Sequence, residues 1–485
     1  MPPVQPASRG RIAGQGALLF SGFAAAQALS FARNAVLGHA LSKGDFGIAA
    51  SITLMLQLIE TLSDLGSDRL IVQAADGANR NFLASSHTML IARGVVLAAL
   101  LAVCGPLFAE FFGVPEAAIA FQIVALVPVF KGFLHLGCRI AQRSFNTAPL
   151  ILIEVAPQAV ALAMIPLALS IEHSYMAVVW VSLAQALAAT AISHLLAKAP
   201  YELGFDRTIL KRQLAFGWPI LLSALPLVAV YQGDRIIIGR LSGMEALAAY
   251  TVAFMATMVP GLVAAKAGHA LMLPMFSEAI RLKRSIDGRF RLLGEATVLA
   301  SALYLSLFLV AGHALIPLLF GAHYSGLGAV TGWLACMWAL RMIQAVPGMA
   351  LMAHGITKPF AIAGLIRAAA LPFAAYAAWQ GQPIATVAAI GCLFELNSLL
   401  YIAVCCERLA YGLGRGLVVR SLFLLPVALA SLLVSTAMTG TTVMMAASAA
   451  AMVALVGAIA VAIMPSLRAE ARRVLARHRA LSELA

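Results

Sequence analysis

The sequence has little charge for its length. Only 11% of its 485 residues are Asp, Glu, Lys or Arg, whereas 62% are hydrophobic and the mean hydropathy is +0.93. Soluble domains carry about a quarter charged residues. A soluble chain of this size could not bury so much apolar surface, so the composition excludes a soluble protein. The apolar runs are continuous over about 18 to 25 residues, which predicts membrane-spanning helices and excludes the short alternating strands of a barrel.

Acidic residues are scarcer than basic ones, at 20 against 33, which gives a formal net charge of +13. The basic residues lie mostly in short loops on one side of the predicted membrane. This pattern indicates topology, and it places both termini in the cytoplasm. The same loops are suited to the anionic headgroups of membrane lipids. We therefore expect membrane lipids as partners and no nucleic acid.

Several catalytic, nucleotide-binding and metal-binding motifs are absent from the sequence. The chain has no G-x-x-x-x-G-K-[ST] loop, no D-x-D pair and no G-x-S-x-G turn, and its six cysteines form no C-x-x-C pair. These absences exclude an ATP-hydrolysing P-loop, and they leave no sign of a metal–nucleotide site or a nucleophile elbow. The predicted outer loops are also too short to form a catalytic cleft. We expect no cofactor, no bound metal and no enzymatic activity.

The apolar runs predict an all-α polytopic membrane protein with about fourteen spans. The predicted spans cover residues 14–40, 46–66, 84–108, 117–138, 148–170, 174–197, 214–241, 246–268, 292–320, 327–353, 359–379, 383–405, 418–439 and 442–464. The corresponding organisation is a cytoplasmic N-terminal tail (1–13), a first lobe (14–197), a cytoplasmic linker (198–213), a second lobe (214–405), two appended spans (418–464) and a basic cytoplasmic tail (465–485).

The two lobes resemble each other in sequence. "FARNAVLGHALSKGDFGIAA" is similar to "GDRIIIGRLSGMEALAAYTV", and Arg33 matches Arg235 at an offset of 202 residues. Further along, Lys131 matches Arg341 at an offset of 210 residues. Parallel repeats related by an axis along the membrane normal are a transporter architecture, in which two bundles move about a central site.

The four matched cations, Arg33, Lys131, Arg235 and Arg341, are candidate substrate-binding residues. Each would cost about 2.5 to 3.5 kcal/mol at the centre of a bilayer, whereas a wet cavity removes most of that cost. Arg33 and Arg235 fall late in the first helix of each half, and Lys131 and Arg341 near the middle of the fourth. A cationic cavity suits an anionic cargo, because guanidinium groups match phosphate oxygens.

Two simpler interpretations of these cations remain open. The side chains would snorkel to the nearest interface, or they would form structural salt bridges. The carboxylates available for such bridges are Asp64, Glu154, Asp234 and Glu395.

Acidic residues are spaced along one face of the second span, at Glu60, Asp64 and Asp68. Glu60 and Asp64 are candidate residues for coupling transport to a proton or sodium gradient. The alternative is a helix-end cluster that pairs with Arg69 or Arg80.

The stretch "ARNAVLGHALSKGDFGIAASITLMLQLIETLSDLG" resembles the first two helices of the bacterial polysaccharide flippases. The features that carry the resemblance are Arg33, Asp45-Phe46-Gly47 and Asp64-Leu65-Gly66. "FGWPILLSALPLVAVYQGDRIIIGRLSGMEALAAYTVAFM" is similar to the helix 7 to 8 region of that family, including the pair Asp234-Arg235. The family belongs to the multidrug/oligosaccharidyl-lipid/polysaccharide (MOP) exporter superfamily.

The resemblance implies two six-helix lobes that form a V around a central cavity in the bacterial inner membrane. It implies a cargo of undecaprenyl-diphosphate-linked oligosaccharide for exopolysaccharide or O-antigen synthesis, and polymerase and export machinery as partners. The sequence departs from the pattern in two places. It has Tyr250-Thr251 where the first half has Ile-Ala, and Lys266-Ala267-Gly268 in place of a second acid–Leu–Gly. An acidic ion site is therefore expected in the first lobe only.

Three other functions remain as alternatives. A multidrug exporter of the same fold would favour acidic residues in its cavity, whereas the excess here is cationic. A polysaccharide polymerase, ligase or glycosyltransferase would need a long outer loop or a nucleotide site. A structural subunit of a synthesis complex is the third alternative.

Overall fold

The computed structural model describes residues 9–144, 146–409, 412–437, 442–470 and 472–473. These residues form α-helices and two short 3-10 helices, and no β-strand occurs among them. The predicted all-α class is therefore confirmed.

The described residues of the first half of the chain form eleven α-helices. They are α1 (Arg9–Ala40), α2 (Lys43–Thr61), α3 (Ser67–Gln73), α4 (Arg80–Phe111), α5 (Ala118–Ile123), α6 (Leu126–Gly132), α7 (Gly137–Arg143), α8 (Ala148–Ala163), α9 (Ile165–Ile171), α10 (Met176–Leu195) and α11 (Arg207–Leu241).

The second half contains the remaining nine. They are α12 (Met244–Arg281), α13 (Asp287–Phe320), α14 (Gly328–Ala353), α15 (Lys358–Ala368), α16 (Ala370–Trp379), α17 (Ile384–Glu407), α18 (Leu413–Ser421), α19 (Leu424–Ala437) and α20 (Thr442–Ile463).

Within the described part of the chain, ten segments are long and apolar enough to cross a membrane. The pair α8 and α9, bent by 41°, would add an eleventh. The protein is thus a multi-pass membrane protein, but the exact number of fourteen spans is not confirmed. The span predicted at 148–170 is the one divided between α8 and α9, whereas the span predicted at 117–138 is among the ten through residue 132 and is interrupted after α6.

The packing of the helices divides the chain into two units, between Thr251 and Val252. Helix α11 packs against α2, α3 and α4 and so belongs to the first unit. The second lobe was predicted to start at residue 214 from the sequence repeat. That boundary reflects similarity between the two halves, whereas the division at Thr251 and Val252 reflects contacts between helices.

Local chemistry in the first unit fixes where α2 begins and how closely it packs. The Ser42 hydroxyl accepts a hydrogen bond from the backbone N–H of Asp45 at 3.0 Å, which caps the first turn. Asp45 also places a negative charge at the positive end of the helix. Two residues on, a Cβ at Gly47 would lie 2.0 Å from the carbonyl oxygen of Met244. The glycine of the Asp-Phe-Gly step therefore allows two backbones to approach closely.

Two helical spans of the first unit are discontinuous. The chain leaves helical geometry between α2 and α3, where Gly66 has φ +62°, and again between α6 and α7 at residues 133–136. Non-helical backbone at membrane depth is tolerated where it is buried in protein or lines a wet cavity. In the second unit, the segment that the sequence repeat matches to α6 lies in α14, which is a continuous helix. It is the most buried of the candidate spans.

Candidate functional site

Glu60 and Lys131 form an ion pair in the first unit. The Lys131 Nζ donates to both carboxylate oxygens of Glu60, at 2.8 and 2.9 Å. Glu60 lies in the last turn of α2, and Lys131 is one residue from the end of α6. Lys131 therefore lies at the end of a helix and not in the middle of one, because the span predicted at 117–138 is interrupted after Gly132. The pair is partly exposed, at 41% for the lysine side chain and 24% for the glutamate.

A third charged group, Arg93 of α4, joins this pair. Its Nη2 donates to the backbone oxygen of Glu60 at 2.7 Å, and its Nε donates to the hydroxyl of Ser63 at 3.1 Å. Arg93 forms no ion pair with a carboxylate in the described residues. The cluster therefore holds two cations for one carboxylate. Sequence reasoning missed Arg93, although a lone arginine within the apolar run "HTMLIARGVVLAALL" is a visible signal.

Two cavities lie beside this cluster, both within the first unit. The smaller, of about 140 Å³, is lined by Glu60, Arg93 and Lys131 together with apolar residues. The larger, of about 250 Å³, is bounded by the two helix interruptions. Its charged lining consists of Asp64, Asp68, Arg93, Arg139 and Glu154. The structure therefore brings the two candidate ion-coupling residues, Glu60 and Asp64, to adjoining cavities.

Asp64 lies in the break between α2 and α3, and its two partners lie at the start of α3. One oxygen accepts the backbone N–H of Gly66 at 2.9 Å, and the other lies 3.2 Å from the Arg69 guanidinium. Asp68 pairs with Arg139 at 2.9 Å. The alternative of a helix-end cluster is thus realised for the Asp64–Arg69 pair, and Asp64 also lines the larger cavity.

Arg33 is held by neutral groups. Its Nη1 donates to the side-chain oxygen of Gln158 at 3.4 Å and also to that of Gln185. No carboxylate pairs with it among the residues that the structure describes. Arg33 therefore retains its full positive charge beside α8 and α10.

Arg235 is almost fully buried, at 8% exposure. Its Nη2 donates to the backbone oxygen of Tyr231 at 2.9 Å and to the side chain of Gln232. The neighbouring Asp234 accepts hydrogen bonds from the Arg235 backbone N–H, at 2.8 Å, and from the hydroxyl of Tyr250. The tyrosine that departs from the first half of the sequence thus serves as a partner for the Asp-Arg step.

The second unit holds a buried cluster around Glu395. Arg341 donates through Nε to one carboxylate oxygen at 2.7 Å, and Arg367 donates through Nε to the other at 2.9 Å. The Glu395 side chain is 1% exposed. Arg341 also lies over the ring of Trp338, at 4.8 Å from its centroid. The predicted alternative of a salt bridge is therefore realised for Arg341, but two cations again share one carboxylate.

The four predicted cations are thus held by separate sets of partners. Lys131 lies with Glu60 beside a cavity, Arg33 and Arg235 have their own partners in the first unit, and Arg341 lies in the second unit. Within the described ranges, no group of three or more His, Cys, Asp or Glu side chains is arranged to hold a metal ion.

The chain matches a known family over more than half of its length. Residues 36–328 match the family described as polysaccharide biosynthesis protein. A comparison with curated protein sequences found no significant match.

Solved structures show the same fold at low sequence identity. The lipid II flippase MurJ in an inward closed conformation has a TM-score of 0.72 at 13% identity, over 92% of this chain and 98% of MurJ. An inward-facing multidrug resistance MATE transporter of the MOP superfamily has a TM-score of 0.56 at 15% identity, over 81% and 95% of the two chains. A MOP superfamily transporter from Pyrococcus furiosus, described by a reversed polarity of its binding pocket, has a TM-score of 0.52 at 16% identity, over 84% and 99%.

The sequence match and the fold agree with the resemblance seen in the first two helices. The chain belongs to the polysaccharide biosynthesis protein family and shares its fold with the lipid II flippase MurJ and the MATE transporter of the MOP superfamily.

Proposed function

We propose that the protein translocates undecaprenyl-diphosphate-linked oligosaccharide units across the bacterial inner membrane, for exopolysaccharide or O-antigen synthesis. The observation that carries the proposal is the excess of cations over carboxylates in each unit. Arg93 and Lys131 share Glu60, and Arg341 and Arg367 share Glu395.

The excess positive charge supports an anionic cargo. Each unshared cation at membrane depth is unfavourable by about 2.5 to 3.5 kcal/mol without compensation. A diphosphate supplies that compensation while it passes, because phosphate oxygens accept charge-assisted hydrogen bonds from arginine and lysine. Such compensation is transient, which suits a transporter that must release its cargo. A cationic drug would instead meet repulsion from the same groups.

Coupling to a proton or sodium gradient is part of the proposal and requires no cofactor. Asp64 lines the larger cavity at the break between α2 and α3, and Glu60 lines the smaller one. Discontinuous helices are a recurrent setting for ion sites in secondary transporters. The positive-inside distribution supports the inner membrane with both termini in the cytoplasm. Membrane lipids and the polymerase and export machinery are the proposed partners.

Deletion of the gene, followed by measurement of which leaflet holds the lipid-linked repeat unit, tests the function. We expect the unit to accumulate on the cytoplasmic leaflet, and the wild-type gene to restore its transfer. Unpolymerised units with normal sidedness would point to a polymerase. Unchanged polysaccharide with altered drug sensitivity would favour a multidrug exporter.

Alanine variants of single cations test the site. We expect Lys131→Ala and Arg341→Ala to lose transport while the protein still inserts, since Arg367 remains to pair Glu395 in the latter. Arg212→Ala is a matched control. Arg212 also forms an ion pair, with Asp76 at 2.9 Å, but it lines neither cavity. Full transport by both Lys131→Ala and Arg341→Ala would contradict the proposed role of these cations.

A further inference from the structure

The side chain of Arg93, which belongs to α4, forms hydrogen bonds at the C-terminal end of α2. Helix α2 ends at Thr61, and the last carbonyls of a helix lack partners within it and carry partial negative charge. Arg93, from α4, donates to the Glu60 carbonyl at 2.7 Å and to the Ser63 hydroxyl at 3.1 Å. Glu60 is therefore held at its backbone by Arg93 and at its carboxylate by Lys131.

Arg93 also lies between the two cavities. It lines both of them, together with Leu90 and Leu134, and it is the charged group that their described linings share. On one side is Asp64, and on the other is the Glu60–Lys131 pair. A change of charge at Asp64 therefore reaches that pair through a side chain bonded to the backbone of Glu60.

We propose that Arg93 is a positioning residue that couples the ionisation or cation occupancy of the Asp64 cavity to the Glu60–Lys131 pair. This inference rests on the proposed function, because Lys131 is the group that would meet a phosphate of the cargo. When Asp64 gains a proton or a cation, the field on the Arg93 guanidinium changes. The hydrogen bonds of Arg93 fix the position of the backbone at the C-terminal end of α2. They therefore control how firmly the Glu60 carboxylate binds the Lys131 ammonium.

Other titratable groups face the larger cavity from the elements packed around it. They are Asp68 of α3, His135 at the α6–α7 break, Cys138 and Arg139 of α7, and Glu154 of α8. Asp68 and Arg139 neutralise each other at 2.9 Å, and Arg69 pairs with Asp64 from outside the cavity lining. The experiment must therefore separate Arg93 from a general effect of charge at this end of the unit.

Arg143 provides a control of the same chemistry. Its Nη1 donates to the backbone oxygens of Ile71 and Val72, at 2.6 and 3.1 Å, and so caps α3 as Arg93 caps α2. It lines neither cavity. If Arg93 only capped a helix, the two arginines would behave alike when substituted.

The test measures the affinity of the purified full-length protein in lipid nanodiscs for a short-chain isoprenyl diphosphate. Affinity is compared at acidic and alkaline pH, with sodium or choline as the counter-cation. We expect the wild-type affinity to change about fivefold or more between conditions, within the usual range of coupling between sites. Arg93→Gln should reduce that ratio to less than about twofold, and Arg143→Gln should keep the wild-type ratio. Arg93→Lys should also reduce it, because one ammonium cannot reproduce the guanidinium fork.

The outcomes distinguish the inference from the function on which it rests. An unchanged ratio in folded Arg93→Gln, an equal loss in Arg143→Gln, or a wild-type affinity independent of ions would each overturn the inference and leave the cargo assignment standing. Failure of the wild type to bind the diphosphate would overturn both. If Arg93→Gln does not yield folded protein, Arg93→Lys decides: a reduced ratio supports the coupling and an unchanged ratio overturns it.

Discussion

Substitution of Glu395 by glutamine should destabilise the protein more than the same substitution of Glu60, the carboxylate of the other charge cluster. The Glu395 side chain is 1% exposed, and it receives hydrogen bonds from Arg341 at 2.7 Å and Arg367 at 2.9 Å. The change Glu395→Gln removes the negative charge and keeps the shape. Two guanidinium groups, on side chains that are 10% and 24% exposed, would then face a neutral amide with no anion to compensate them.

Removing one partner of a buried ion pair costs about 3 to 5 kcal/mol. The matched change in the first unit, Glu60→Gln, breaks a pair whose side chains are 41% and 24% exposed. Pairs screened by solvent contribute only about 0.2 to 1 kcal/mol. A third variant, Arg367→Ala, leaves Arg341 and Glu395 as a one-to-one pair, and we expect it to be tolerated better than Glu395→Gln.

Thermal unfolding in detergent, followed by the fraction of protein that remains monodisperse, measures these differences. Glu395→Gln should lower the apparent midpoint clearly, and Glu60→Gln should leave it close to that of the wild type. Equal midpoints for the two variants, or a lower midpoint for Glu60→Gln, would refute the assignment of Glu395 as the buried anchor of the second unit.

Three further predictions follow from single contacts. Gly47→Ala would place a Cβ 2.0 Å from a backbone carbonyl at the start of α12; we expect about 1 to 3 kcal/mol of destabilisation, and an unchanged midpoint would contradict it. Hydrogen bonds from Arg80 lower the pKa of Glu202, which lies outside the spans. The pair should therefore hold the α10–α11 connection at neutral pH and be lost as the pH falls through that lowered pKa; proteolysis of the connection that does not increase in acid would count against it. Buried Glu295 accepts the backbone N–H of Ser466 at 2.8 Å, so Glu295→Gln should expose the C-terminal segment to proteases, and equal resistance in both proteins would argue against this docking.

The sequence predicts the membrane helices well because apolar length is a strong signal, but it does not predict where they break. The run at 117–138 has no polar segment long enough to mark a loop, yet the structure interrupts it at 133–136. Backbone groups freed there find side-chain and backbone partners that hydropathy does not record. One of them is the Ser193 hydroxyl, which accepts the His135 N–H at 2.8 Å. Lys131 lies at the end of a helix for this reason, whereas Arg341 lies well inside the continuous α14.

The candidate site was predicted in part, and the omission has a definite cause. The four predicted cations were recognised because basic residues recur at offsets of 202 and 210 residues between the two halves. At those offsets Arg93 corresponds in sequence to Glu295 and Leu303, neither of which is basic, so the repeat does not identify it. Pairing between distant helices, such as Lys131 with Glu60, also leaves no local pattern in the sequence. The predicted salt-bridge partners were Asp64, Glu154, Asp234 and Glu395, whereas Lys131 pairs with Glu60.

The two clusters have the same charge balance but differ in how readily they can exchange partners. A half-exposed pair such as Glu60–Lys131 is separated at little free-energy cost, because water replaces each partner. The Glu395 side chain is only 1% exposed, and its separation from the arginines leaves an uncompensated buried charge. Under the proposed function, we therefore expect an anionic cargo to displace Glu60 from Lys131 far more readily than it displaces Glu395 from its arginines. We infer that, in the proposed transport cycle, Lys131 exchanges partners more readily than the two arginines that hold Glu395.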